Sequence, residues 1–216
     1  MKKNKLQVFA WILAFLPLVL IAALYSRLPD QVPMQWQFDG SVEYRAKAHL
    51  WAIGALSPFL MLMLGISPRI DPKRRNYDKF HGSYVLFKMV LMLFILIMLS
   101  ITLVEAFHPG TVNVIMIVCI GCGLLFTILG NMMPKFRSNW FVGIRTPWTI
   151  SNEKVWLRTQ RLGGRLMFGS GFVIIAAAFI PNNYARMAAI LLSALTVGLI
   201  PAVCSWWWYR QSEEQP

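Results

Sequence analysis

Six long apolar blocks constrain this chain more than any other feature. They are Leu6–Tyr25, Leu50–Ile66, Tyr84–Val104, Val112–Met132, Leu166–Ile180 and Met187–Tyr209, and together they hold a single charged residue, Lys88. A hydrocarbon core of about 30 Å takes roughly 20 apolar residues of helix to cross. The blocks have that length and no amphipathic stripe, so the expected fold is an all-α integral membrane protein with six transmembrane helices. The fifth block is short, and its helix is expected to begin within Asn152–Arg165. Composition agrees: 57% of the 216 residues are hydrophobic and 14% are charged, against roughly 25% charged in an ordinary soluble domain.

The basic residues fix an expected orientation. Sixteen Lys and Arg lie in the two tails and the second and fourth connections, and four lie in the first, third and fifth. Positive residues are retained on the cytoplasmic side, which puts both termini there in a multi-pass protein of the cell membrane. The net charge of +12 then serves topology and anionic lipid headgroups, not nucleic acid. Lys88 is expected to snorkel toward the cytoplasmic face. Trp11, Trp51, Trp140, Trp148 and Trp206–Trp208 fall near the expected interfaces as aromatic anchors. The first block follows Lys2, Lys3 and Lys5 but lacks a small-residue cleavage site, so it reads as a retained helix.

Chemistry-bearing motifs are sparse. Cys119, Cys122 and Cys204 lie inside apolar blocks and read as small packing residues. His49, His81 and His108 are in separate connections with no ligand spacing. Neither a nucleophile–base motif nor a phosphate-binding glycine loop is present, so no enzyme, cofactor or metal is indicated. Glu105 is the only acidic residue near a span interior, which disfavours ion-coupled transport.

Two connections carry pattern. In residues 27–49, Val32, Met34, Trp36 and Phe38 alternate with polar residues or proline, Asp39-Gly40 follows, and Val42 and Tyr44 alternate again. This reads as a short extracellular β-hairpin with Gly40 at positive φ. Gln35, Trp36, Phe38, Asp39 and Gly40 are its candidate ligand contacts, unless the hairpin only caps the bundle. Residues 133–164 form a cytoplasmic motif loop followed by an amphipathic helix, with Ser151 as the expected N-cap and a possible kink at Gly163-Gly164. Arg145, held between Gly143 and Pro147, could stack on Trp148 or pair with Glu153.

The segment GNMMPKFRSNWFVGIRTPWTISNEKVW, residues 130–156, resembles the signature of the SdpI family, whose founding member gives immunity to a secreted sporulation-delaying toxin. The outer loop LPDQVPMQWQFDGSVEYRAK resembles the family's N-terminal domain of unknown function. The resemblance implies a membrane immunity protein without catalytic activity, with a secreted toxin peptide and a cytoplasmic repressor protein as partners. It makes Asn139, Gly143, Arg145, Thr146, Pro147, Trp148, Glu153 and Trp156 the candidate cytoplasmic motif. Family members often carry His where this chain has Gln35 and Gln160, and glutamine cannot titrate as imidazole does. The alternative function is a small transporter or channel of two inverted halves, because Leu28-Pro29 and Met133-Pro134 each introduce a loop with Trp, Phe and Gly. A membrane enzyme stands third.

Overall fold

The computed structural model describes residues 2–37 and 39–213, with side chains for residues 5–37 and 39–212. Its elements are α1 (Lys2–Leu24), β1 (Gln31–Trp36), β2 (Val42–Ala46), α2 (Leu50–Ile70), α3 (Tyr77–Phe107), α4 (Val114–Met132), α5 (Pro147–Ser151), α6 (Glu153–Ala177) and α7 (Asn183–Glu213). Five of the helices, α1, α2, α3, α4 and α7, are long and apolar enough to cross a membrane. Val19, Leu195 and Val203 are each more than half exposed, as are many of their apolar neighbours. Such a surface is stable only against lipid. The chain is a multi-pass membrane protein.

The helix α6 differs from the other five for a local reason. At 25 residues it is about 37 Å long at roughly 1.5 Å per residue, but Lys154, Arg158, Arg161 and Arg165 occupy its first half. Only its second half is continuously apolar. The helix starts at Glu153, within the segment expected to extend the fifth block. It runs unbroken through Gly163-Gly164, where a kink had been allowed. Its cap also differs from expectation: Asn152, not Ser151, accepts the amides of Lys154 (2.9 Å) and Val155 (3.2 Å). Ser151 instead closes the short α5, its hydroxyl donating to the carbonyl of Pro147 at 2.7 Å. Asparagine is the better cap because its extended backbone aims a fixed carbonyl oxygen at two orphan amides.

The helices group as α1–α2–α3 and α4–α6–α7, with α3 and α4 joining the groups. Each group has the same order of a helix, a patterned loop and two further helices. Alternating helix directions put the hairpin at one end of the bundle and the motif loop at the other. The α4–α6 seam is held close by glycine. A Cβ on Gly164 would lie 2.7 Å from the carbonyl oxygen of Gly130, and a Cβ on Gly130 would lie 2.8 Å from that of Gly164. Small residues that admit close backbone approach replace the hydrophobic drive that lipid cannot provide.

The hairpin forms with β1 and β2 antiparallel and Trp36 opposite Val42. The expected alternation slips between Pro33 and Gln35, where Met34 makes an extra residue in β1. The turn is not a two-residue Asp-Gly turn. Asp39 and Gly40 sit within the connection Gln37–Ser41, closed by bonds from the amide of Gln37 to the carbonyl of Ser41 (2.8 Å) and from that of Gly40 to the carbonyl of Gln37 (3.0 Å). Gly40 has the expected positive φ, 89°. Phe38 lies outside the described residues.

Replacing Gly164 by alanine is expected to lower the unfolding temperature of the detergent-solubilised protein, at an overpacking cost of about 1–3 kcal/mol. Gly169→Ala on the same helix, where a Cβ would meet nothing within 4 Å, should leave it unchanged. Equal shifts for both variants, read by thermal denaturation, would refute the glycine seam.

Candidate functional sites at the two ends of the bundle

At the motif end, residues 136–146 adopt no regular structure, so their backbone groups need side-chain partners. Asn139 is fully buried and supplies four. Its Oδ1 accepts the amides of Phe141 (2.9 Å) and Val142 (2.7 Å), and its Nδ2 donates to the carbonyls of Arg137 (2.8 Å) and Val142 (3.0 Å). Trp156, also fully buried, donates its indole N–H to the carbonyl of Phe136 at 2.8 Å. Gln160 clasps one residue from both sides. Its Oε1 accepts the amide of Ile144 (3.1 Å) and its Nε2 donates to the carbonyl of Ile144 (2.9 Å). Gly143 makes room for that clasp, since with φ at 104° a Cβ there would lie 2.8 Å from Gln160 Oε1.

The loop is also bound to the preceding connection, residues 71–76. Asp71 is 2% exposed; its Oδ2 accepts the hydroxyl of Tyr77 (2.9 Å) and the amide of Trp140 (2.8 Å), while Oδ1 accepts the amide of Lys73 (2.7 Å). The ammonium of Lys73 crosses the other way, donating to Ser138 Oγ (2.7 Å) and the carbonyl of Ile150 (2.6 Å). Asn76 Nδ2 adds a bond to the carbonyl of Ser138 at 2.8 Å. Thr146 caps α5 through a reciprocal pair with Thr149, and its hydroxyl meets that of Ser205 on α7 at 2.9 Å. Pro147 takes the first helical position, where its missing N–H costs nothing.

These bonds divide the candidate motif into two sets. Asn139, Gly143, Thr146, Pro147 and Trp156 build the platform. Arg145 and Glu153 are exposed on its surface and Trp148 is partly buried; Trp140, outside the candidate motif, is half exposed. Arg145 does not pair with Glu153 or stack on Trp148; its Nη1 donates to the carbonyl of Trp140 at 2.5 Å. Sequence reasoning missed Asp71, Lys73 and the clasping role of Gln160. The available signal was an acidic residue, Asp71, at the start of a strongly basic connection.

At the opposite end, the hairpin is seated through residues other than its candidate ligand contacts. Val32 and Leu28 are buried against Leu99, Leu103 and Ala106 of α3. Lys47 clamps the base, donating to the carbonyl of Leu28 (3.1 Å) and pairing with Asp30 at 3.2 Å. Gln35 and Asp39 remain exposed and Trp36 partly so. Asp39 serves the turn: its Oδ1 accepts the hydroxyl (2.7 Å) and amide (2.9 Å) of Ser41, which hold the carboxyl below its usual range. Trp36, Gly40 and Tyr44 face a cavity of about 470 Å³ whose other wall includes Glu105, Asn113 and Asn183. Glu105 is 5% exposed, and its carboxylate accepts the amides of Gly110 (2.9 Å) and Val112 (3.0 Å).

Both patterned loops have counterparts in known proteins. Residues 135–205, from the motif loop through most of α7, match the model of the SdpI/YfhL protein family. Residues 12–56, spanning most of α1, the hairpin and the start of α2, match a domain of unknown function, DUF1648. Over residues 135–205 the chain is similar to the SdpI/YfhL family. It is 26% identical to the immunity protein SdpI of Bacillus subtilis (strain 168) over 211 residues, covering 98% of each chain. No solved structure matches. The SdpI/YfhL match therefore takes in the loop platform with the helices α5, α6 and α7 that clasp it, while its anchor at Asp71 lies in the segment between the two matched regions.

Removing that anchor should expose the platform. Asp71→Ala leaves the amide of Trp140 and the hydroxyl of Tyr77 without their shared acceptor, at a cost of about 1–3 kcal/mol for unsatisfied buried donors. Trypsin should then cut after Lys135, Arg137 or Arg145 several-fold faster than in the parent, with Glu153→Ala as the unchanged control. Equal cleavage rates for all three proteins would show that Asp71 does not hold the loop.

Proposed function

We propose that this chain is an immunity protein of the cell membrane that protects its host against a secreted toxic peptide. The observation that carries this reading is the end-to-end similarity to the Bacillus subtilis immunity protein. In this reading α6 makes the sixth crossing. It packs between α4 and α7 along its length, and its basic first half lies among headgroups on the inner face. Both tails and the motif platform are then cytoplasmic, and the hairpin is extracellular.

The toxin docks at the hairpin end, against the cavity that Trp36 and Tyr44 overhang. Tyr44 is 45% exposed, and aromatic side chains beside a cavity are the usual anchors of a peptide contact. The motif platform recruits a cytoplasmic repressor through Arg145, Trp140 and Trp148. Its many backbone bonds support this role, because a preorganised surface loses little entropy on binding.

The test is expression in a toxin-sensitive bacterium lacking its own immunity gene, challenged with a secreted sporulation-delaying peptide. The parent chain should restore growth. A variant with Trp36→Ala and Tyr44→Ala should protect about tenfold less at equal membrane level, as befits loss of an aromatic anchor pair. Arg145→Ala should still protect but should capture less of a co-expressed repressor at the membrane. Growth no better than with empty vector would overturn the immunity reading; full protection by the double variant would move the docking site elsewhere.

A second reading, a small transporter of two inverted halves, draws on the matching order of elements in the two helix groups. Substrate-dependent flux in proteoliposomes would favour it, and none across peptide and ion substrates would dismiss it.

A further inference from the structure

At the motif end, on the side of the bundle formed by α1, α2 and α3, lies a hollow of about 740 Å³ that the platform does not use. Lys88 sits at its wall and is 4% exposed. Instead of reaching out to the interface, its ammonium donates to Gln7 Oε1 at 2.9 Å and lies 5.2 Å from the ring centre of Tyr84. Neither partner carries a negative charge. A buried cation is costly unless an anion compensates it, and an ammonium has three donors to satisfy.

The rest of the wall adds cations. Arg69, Arg74 and Arg75 line the same hollow. Among the described residues the ion pairs are Arg45 with Glu43 and Lys47 with Asp30, so none of these three guanidiniums is neutralised. One carboxylate, Asp78, shares the wall and pairs with none of them. Three guanidiniums and the amine of Lys88 thus line a space that holds one carboxylate. Arginine in this setting suits an oxyanion such as phosphate, because its planar fork matches two oxygens at once.

Gln7, Tyr77, His81 and Tyr84 add polar groups to the wall, and the rest of it is apolar. Trp11 and Leu62 line the hollow, and Leu62 is 46% exposed on the helix surface that faces lipid. A soluble anion would leave that side unfilled, whereas the first segment of an acyl chain would cover it. We propose that this hollow is a binding site for an anionic phospholipid, its phosphate among Lys88, Arg74 and Arg75 and its chains along α1 and α2.

Full-length protein in neutral detergent is titrated with phosphatidylglycerol, and bound lipid is counted by native mass spectrometry alongside the unfolding temperature. The parent chain should retain phosphatidylglycerol and gain stability. Lys88→Gln should bind about tenfold more weakly, as expected for loss of one charge-assisted contact. A double variant, Arg74→Gln with Arg75→Gln, should weaken binding similarly. Its two residues are exposed, so it keeps the test open if Lys88→Gln does not fold. Equal lipid retention by the parent and the double variant would overturn the site. Stabilisation by inorganic phosphate equal to that by phosphatidylglycerol would overturn the lipid as its occupant.

Discussion

The carboxylate of Asp71 is the joint on which the motif end of this molecule depends. It ends α2, starts the turn into α3 through the amide of Lys73, and accepts the amide of Trp140 from a loop 69 residues away. With Lys73 returning two bonds to that loop, the α1–α2–α3 group and the α4–α6–α7 group are fastened at one end by a buried polar network. Such a network is costly if half satisfied and specific if complete. Here each oxygen of Asp71 is used, so the motif loop is held in one conformation. A displacement of α2 or α3 would be felt directly at Trp140 and, through its carbonyl, at Arg145.

The opposite end follows another logic. Its hairpin is attached by burial of Val32 and Leu28 and by the Lys47 clamp, which leaves Trp36 and Tyr44 beside an open cavity. The two ends are connected by α3, whose residues contact the hairpin at Leu103 and join the Asp71 network at Tyr77. A helix shared by both ends is a physical route by which occupancy at the hairpin end would bias the platform, if the two states differ in α3 position.

Much of the fold was legible in the sequence because lipid imposes a crude rule: long uncharged runs become helices. The hairpin was legible too, through alternation and Asp39-Gly40, although the Met34 irregularity and the longer turn were not. Local patterns failed where partners are distant. Asp71 looked like one acidic residue in a basic connection, since its acceptor role appears only when Trp140 is brought beside it. Ser151 and Asn152 are both good caps, and the short α5, invisible to periodicity, decided between them. Arg145 was singled out for a side-chain partner, but its partner is a backbone carbonyl, which no side-chain pattern announces. Lys88 was read as snorkelling because Gln7, 81 positions away, could not be seen as its partner.

The account stands or falls on the two loops facing opposite sides of the membrane. Single cysteines at Arg45→Cys, in the hairpin, and Lys154→Cys, at the start of α6, can be labelled in intact cells with a membrane-impermeant maleimide, on a background where Cys119, Cys122 and Cys204 are replaced by alanine. The account predicts that the position-45 thiol reacts in intact cells and that the position-154 thiol reacts only after the membrane is opened. Labelling of both thiols from outside, or of neither, would contradict it.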